Sequence, residues 1–165
     1  MENKWNPPET EWTKLNTDTA FKDFKGGWAV AARNAEVKFT RCGTMSHKVL
    51  SVIEAETIAV LLAADFAVMS HLQRVIIDCD AEKVVNMLTK GDYHIPWRLH
   101  QIILQIRKHL KKVAEVKTVF IKKNGNNVAH ALAKYALTRH SNMWWFSPKP
   151  PCCIRVLFAR VYDAL

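Results

Sequence analysis

Three acidic residues stand where an acid is costly, and their placement sets the chemistry open to the chain. Glu56 lies in a run, residues 51–69, without Gly or Pro and rich in Ala, Leu and Glu, long enough to be a helix. On that helix Glu56 projects about 160° away from Glu54, onto a face shared with Ile53, Ala59, Val60, Ala63 and Ala67. A carboxylate among small apolar groups is expensive unless paired or bound to a cation; the other reading is a helix-end Glu that reaches water or a lysine. Glu54 falls with Thr57, Leu61 and Asp65 on the stripe expected to face solvent. Asp80 ends a short β-branched run, residues 74–80, and the carboxyl ends of strands are where α/β sheets place their sites. It also reads as an N-cap of the next helix. Asp78 has the same strand parity, and pattern alone leaves the two open. Asp18 sits inside an alternating run, residues 12–20, where Asp is disfavoured unless the position is an edge facing water.

Brought together, three carboxylates raise one another's pKa unless divalent cations neutralise them. Hard oxygen donors suit Mg²⁺ or Mn²⁺. Two such ions roughly 4 Å apart activate water and stabilise the leaving oxygen of an in-line phosphodiester displacement.

The elements that would have to gather these acids follow from periodicity. A strand over 12–20, the turn signal Gly26-Gly27, and strands over 28–33 and 37–42 joined at Asn34-Ala35 predict a three-stranded antiparallel meander. The helix over 51–69 and the buried strand over 74–80 follow. Next come a short helix over 81–89 ended by Gly91, a break at Pro96 and a longer helix over 99–113. A strand over 115–122, a turn over 124–127 and an Ala-rich helix over 128–139 entered through an Asn cap complete the order β-β-β-α-β-α-α-β-α. The expected class is α/β: a five-stranded mixed sheet, the meander plus two further strands, flanked by helices. Residues 1–11, with Trp5, Pro7 and Pro8, read as an extended lead-in and 12–140 as one domain. Residues 141–165, with Trp144, Trp145, Phe146, Pro148, Pro150 and Pro151, read as a tail docked on it.

Composition removes several classes. The 165 residues hold 49% hydrophobic and 24% charged residues, the balance of one globular domain and not of a disordered chain. The most apolar stretch, 51–70, carries Glu54, Glu56 and Asp65, which excludes an ordinary membrane span. Residues 1–10 lack the apolar core of a secretory signal. Cys42, Cys79, Cys152 and Cys153 show no C-x-x-C spacing, so a reduced compartment, nuclear or cytoplasmic, is expected and zinc is not. A net charge of +9 suits a polyanionic partner. Arg107, Lys108, Lys111, Lys112, Lys117, Lys122 and Lys123 are candidate phosphate contacts, or else a solvated face. Trp97, Trp144 and Trp145 either stack on bases or pack.

Four segments, taken in order, resemble a known family. KLNTD (residues 14–18) followed by Gly26-Gly27 resembles the opening of the ribonuclease H fold. IEAET (53–57) carries the Ala-Glu pair of its first helix, and IIDCDAEKVVNML (76–88) is similar to its next strand and helix. NNVAHALAKYAL (126–137) resembles the closing helix of the plant reverse-transcriptase-like branch, derived from non-LTR retroelements. The resemblance covers nearly the whole chain. It implies a ribonuclease H-like fold and a type 1 ribonuclease H activity, hydrolysis of the RNA strand of RNA–DNA hybrids to 3′-hydroxyl and 5′-phosphate ends. By position it assigns Asp18, Glu56 and Asp80 as catalytic metal ligands for Mg²⁺, with Mn²⁺ as substitute. The fourth position, usually Asp, falls on His130, which could ligate a metal or shuttle a proton. Asn126, Lys122, Lys123, Lys111 and Lys112 are the expected nucleic-acid contacts of a monomer. Thr19, Ala81 and Lys123 depart from the small residue, Ser and Arg usual at their positions. The rival readings are a nucleic-acid-binding module with little catalysis and a protein-interaction domain that uses the Trp-rich tail.

Overall fold

A computed structural model describes residues 6–36 and 39–155. Trp5 of the lead-in, Val37 of the third strand and residues 156–165 of the tail lie outside the described residues. The strands are β1 (Thr13–Lys22), β2 (Lys25–Arg33), β3 (Phe39–Lys48), β4 (Arg74–Cys79), β5 (Glu115–Phe120) and β6 (Met143–Phe146). The helices are α1 (Val52–Met69), α2 (Glu82–Thr89), α3 (His100–Leu110) and α4 (Asn127–Arg139), with 3₁₀ turns at Trp97–Leu99 and Lys123–Gly125. The sheet order is β5-β4-β1-β2-β3-β6. β1, β2, β3 and β6 pair antiparallel, whereas β4 runs parallel to both β1 and β5.

The expected order of elements is present, with one strand more than the five predicted. The sixth comes from the tail. Met143–Phe146 alternates across the sheet and closes the free edge of β3, with Gly43 opposite Trp144 and Cys42 opposite Trp145. Trp144 stacks on Phe66 of α1, ring centroids 5.3 Å apart, while Trp145 meets Tyr135 of α4 edge-on at 6.1 Å. The two tryptophans therefore pack, one on each face.

A second difference concerns Gly26-Gly27, which lies inside β2 and not in a turn. The β1–β2 turn is Asp23-Phe24, left-handed at both residues with φ of 51° and 57°, the mirror-image turn whose twist matches a hairpin. Both glycines are needed for close approach. A Cβ on Gly27 would fall 2.4 Å from the Leu137 amide nitrogen and 2.5 Å from the Ala133 carbonyl oxygen, and one on Gly26 would fall 2.6 Å from the Trp28 ring. The backbone of α4 thus rests directly on β2. The second turn is where it was expected: Asn34 Oδ1 accepts from the Glu36 amide at 3.2 Å.

Helices α1 and α2 lie on one face of the sheet and α3 packs on α1, over a core that includes Leu15, Trp28, Val30, Val60, Ile77, Ile103 and Ile106. α4 covers the other over a smaller cluster built on Ala29, Ala31, Cys42, Leu132 and Ile154. Because α3 packs on α1, the stripe expected to be solvated is not: Thr57 is fully buried and its hydroxyl donates to the Ile53 carbonyl at 2.7 Å. No described helix is long and apolar enough to cross a membrane.

Gly27→Ala drives a methyl into helix backbone that cannot rotate away, so it is expected to cost about 2 kcal/mol. Gly91→Ala, whose Cβ would meet nothing within 4 Å, is the paired control and should stay within about 0.5 kcal/mol. Urea midpoints measure both, and equal midpoints would refute the close approach of α4.

Candidate active site

Asp18 lies on a central strand, with β4 on one side and β2 on the other, and is 8% exposed. It is therefore not an edge residue facing water. The last registered pair of β1 and β4 is Thr17 with Cys79, so Asp18 and Asp80 are the next residues of two adjoining parallel strands. Asp80 does not cap α2: the N-cap position is Ala81, and no side chain caps that helix.

Glu56 stands in the first turns of α1, and that end is firmly held. Ser51 Oγ accepts from the Glu54 amide at 3.3 Å, and Glu54 Oε2 accepts from the Leu50 amide at 3.0 Å. Reciprocal bonds of this kind satisfy amides that a helix start leaves free, so Glu54 is a cap and not merely a solvated charge. Trp28 Nε1 donates to the Ala55 carbonyl at 2.5 Å, pinning the residue before Glu56 to the sheet.

The three acids share one field. Burial raises the Glu56 carboxyl above its usual range, and Asp80 and Asp18 raise it further. Asp80 is pushed up to about 6, by burial first and then by the charge of Asp18. Burial also raises Asp18, against the Thr19 amide, His130 and Lys123. Lys123 is exposed in the turn after β5 and lowers all three, so a cation faces the whole cluster. Lys122 is its exposed neighbour.

His130, in the second turn of α4, is exposed and places Nδ1 2.8 Å from Asp18 Oδ2. Asp18 Oδ1 accepts from the Thr19 amide at 2.7 Å. Asn126 is 1% exposed and donates through Nδ2 to the Thr17 carbonyl at 2.7 Å. This corrects the cap expectation for Asn126: its side chain makes no cap bond to α4 and, buried, ties the start of α4 to the residue before Asp18. An Asn ahead of a helix carries the signal of a cap, and nothing local distinguishes it from such a cross-tie.

Asp78 is resolved from Asp80 by its partners. It lies 3.3 Å from Lys14 Nζ and accepts from Asn16 Nδ2 at 3.3 Å, while Asn16 Oδ1 accepts from Arg33 Nη2 at 2.8 Å. Burial raises Asp78, with Lys14 and Arg33 opposing, and lowers Arg33 to about 9. This is a buried structural network across three strands, not part of the cluster.

Lys111 and Lys112 are exposed just beyond the C-terminus of α3, before β5 begins. The acids lie past the far end of the parallel strands β4 and β5, so the length of a six-residue strand, about 20 Å, intervenes. Those two lysines do not border the site, which corrects the grouping made from charge alone. Arg107 binds the Met87 carbonyl at 2.9 Å, and Lys117 sits over the Trp12 ring at 4.3 Å. Trp97 is 78% exposed, with the Arg98 guanidinium 5.3 Å from its ring centroid.

Three carboxylates with a mutual charge penalty are the donor set that a hard divalent cation neutralises. Among the described residues, no three His, Cys, Asp or Glu side chains are gathered closely enough to ligate an ion as they stand. The Asp18 oxygens each accept one hydrogen bond, from His130 and from the Thr19 amide, and each keeps a lone pair, so the donors fit by chemistry with the Asp18–His130 bond in place.

The reverse transcriptase-like family matches residues 16–136. The chain belongs to that family. Its fold is ribonuclease H-like. This reverse transcriptase-like domain is similar to ribonuclease H1 of Halobacterium salinarum, with a TM-score of 0.72 at 18% identity over 78% of this chain and 98% of that one. It is also similar to the compost-derived LC11 ribonuclease H1 in complex with an RNA/DNA hybrid, with a TM-score of 0.71 at 15% identity over 78% and 98%. The foamy virus protease–reverse transcriptase in complex with RNA/DNA hybrid aligns at 0.63 and 16% identity over 78% of this chain and 20% of its own. No curated protein matches the sequence.

Asp80 holds its proton more tightly in the fold than at its ordinary value of 3.8. The stability linked to that proton is therefore fully present below about pH 4 and is lost as pH rises through about 6. Asp80→Asn removes the penalty, so at pH 8 it is expected to stabilise the domain by about 1 kcal/mol after solvent screening. That corresponds to about 3 °C in the thermal midpoint. At pH 4 the gain should vanish, and a gain of equal size there would contradict the charge account.

Proposed function

We propose that this domain is a metal-dependent endonuclease that hydrolyses the RNA strand of RNA–DNA hybrids. The observation that carries the reading is the parallel register that sets Asp18, within β1, beside Asp80, just past the end of β4, with Glu56 of α1 in the same field and Lys123 facing all three. Asp18, Glu56 and Asp80 would hold Mg²⁺, with Mn²⁺ as substitute and His130 beside them. Divalent ions bound there would supply water activation and charge neutralisation at the leaving oxygen of an in-line displacement.

The chain's own residues do the rest. Lys123 and Lys122 draw a phosphate toward the acids. His130 engages Asp18 through Nδ1, which leaves Nε2 free to face the substrate. The bond also orients the Asp18 carboxylate. Duplex shape and 2′-hydroxyls, not base sequence, select the substrate. The family match and the hybrid complexes of the similar proteins support this substrate class, and the closing-helix motif supports descent from a retroelement. One observation favours a second reading, a binding module with little turnover. A histidine bonded to Asp18 stands where a fourth carboxylate is usual, and it adds no negative charge to hold a second ion.

Cleavage of a labelled RNA–DNA hybrid in Mg²⁺ and in Mn²⁺, beside Asp80→Asn, tests the proposal. Wild type should turn over and the variant should fall by about a thousand-fold, the scale of losing a charge-stabilising group at the reacting centre. Equal inactivity with binding retained would leave the binding module as the correct reading.

A further inference from the structure

The hairpin end of the sheet carries a second concentration of charge that the acids do not explain. Lys22 of β1 is registered with Lys25 of β2, and Lys25 with Lys48 of β3. Three lysines therefore form one row across three adjacent strands. Like charges directly opposite on a sheet repel, and none of the three makes an ion pair among the described residues. All three are exposed, and the nearest acid in sequence is Asp23 in the turn itself.

Strand parity places the row on the face that Asp18 occupies, because Lys22 is four residues farther along β1 and side chains alternate with period two. That separation is about 13 Å, or roughly four nucleotide steps of 3.4 Å along a duplex axis. α4 crosses the same face diagonally. It starts at His130 against Asp18 on β1, crosses Gly27 on β2 and leads to Ser141, whose hydroxyl lies 2.9 Å from that of Thr44 on β3. Beyond its end, His140 and Asn142 stand opposite Lys25 and Lys48 around a cleft of about 370 Å³. No acidic residue lines that cleft. Its far wall is fixed: Asn142 Oδ1 accepts from the Ser46 amide at 2.9 Å, which leaves the Asn142 amide hydrogens to donate.

We infer that the Lys22–Lys25–Lys48 row, with His140 and Asn142 across the cleft, is a second phosphate-binding subsite, which grips the backbone of the nucleic acid held at Asp18. The inference rests on the proposed function for its substrate. Because α4 covers Ala20 and Gly27, a backbone held at Asp18 reaches the row by passing around that helix, and its phosphates relieve the repulsion within the row.

The test measures binding of an RNA–DNA hybrid over a range of salt, in the Asp80→Asn background so that nothing is cut. Lys25→Gln with Lys48→Gln should weaken binding about tenfold near physiological salt. It should also reduce the slope of log affinity against log salt by about two, one for each phosphate contact. Lys25→Arg with Lys48→Arg should retain the affinity. Lys149→Gln removes one charge at the opposite end of β3, where Ser147 bonds to Thr40, and should leave the slope unchanged. The double Gln variant should melt no lower than its parent, since a repulsion is removed. An unchanged slope in that variant, an equal effect of Lys149→Gln, or loss of competition by inorganic phosphate with hybrid binding intact would overturn the subsite. If the slope falls as expected but the wild type cuts no hybrid, the subsite stands and the nuclease reading fails. If the wild type cuts and the double variant binds as before, the reverse holds. Failure of the parent to bind any hybrid removes both.

Discussion

The parallel pairing of β1 with β4 is the constraint on which the rest of the molecule depends. It makes Asp18 and Asp80 neighbours by continuing a hydrogen-bonded register that ends at Thr17 and Cys79. The same two strands carry a second pair of levels. Two residues earlier, Asn16 faces Asp78, and there the acid is answered by Lys14 and, through Asn16, by Arg33. One level is neutralised and buried, and the next is left with opposing carboxylates. A sheet that holds its charge so well at the first level can tolerate an uncompensated arrangement at the second, where function resides.

Two helices from opposite faces then aim at that level, and each is fastened near the residue it presents. α1 is held by its Ser51 and Glu54 caps and by the Trp28 indole beside Glu56. α4 is held by Asn126 on the Thr17 carbonyl, by His130 on Asp18 and by its backbone resting on Gly27. Preorganisation here comes from backbone carbonyls and a missing side chain, not from the acids themselves, which repel. Ordered elements on a rigid sheet keep such groups within the narrow tolerance that catalysis requires.

Much of this was legible from residue types. Helix and strand order followed from period, and Asp18, Glu56 and Asp80 stood out because each acid sat where burial made it expensive. What was not legible needed a partner far away in sequence. Asp78 and Asp80 share parity, and only the side chains of Lys14, Asn16 and Arg33 separate their roles. Gly26-Gly27 carries turn chemistry, yet the turn went to Asp23-Phe24; Gly27 answers to α4 more than a hundred residues later, and Gly26 to the Trp28 ring. Lys111 and Lys112 looked like neighbours of Lys122 and Lys123 in the chain, but a strand runs between them. Met143–Phe146 read as a docked tail because four residues rich in aromatics do not declare a strand until an open edge is available.

That edge carries a consequence for how the domain is made. Until β6 arrives, β3 presents a row of unpaired amides and carbonyls, with the flat surface of Gly43 bare of its tryptophan. Synthesis proceeds from the N-terminus, so the meander is complete more than ninety residues before Met143 leaves the ribosome. Throughout that interval the nascent chain offers an adhesive strand to any other chain nearby. The edge-closing tetrapeptide is in that sense the domain's own chaperone, delivered long after the strand it covers and built into the product.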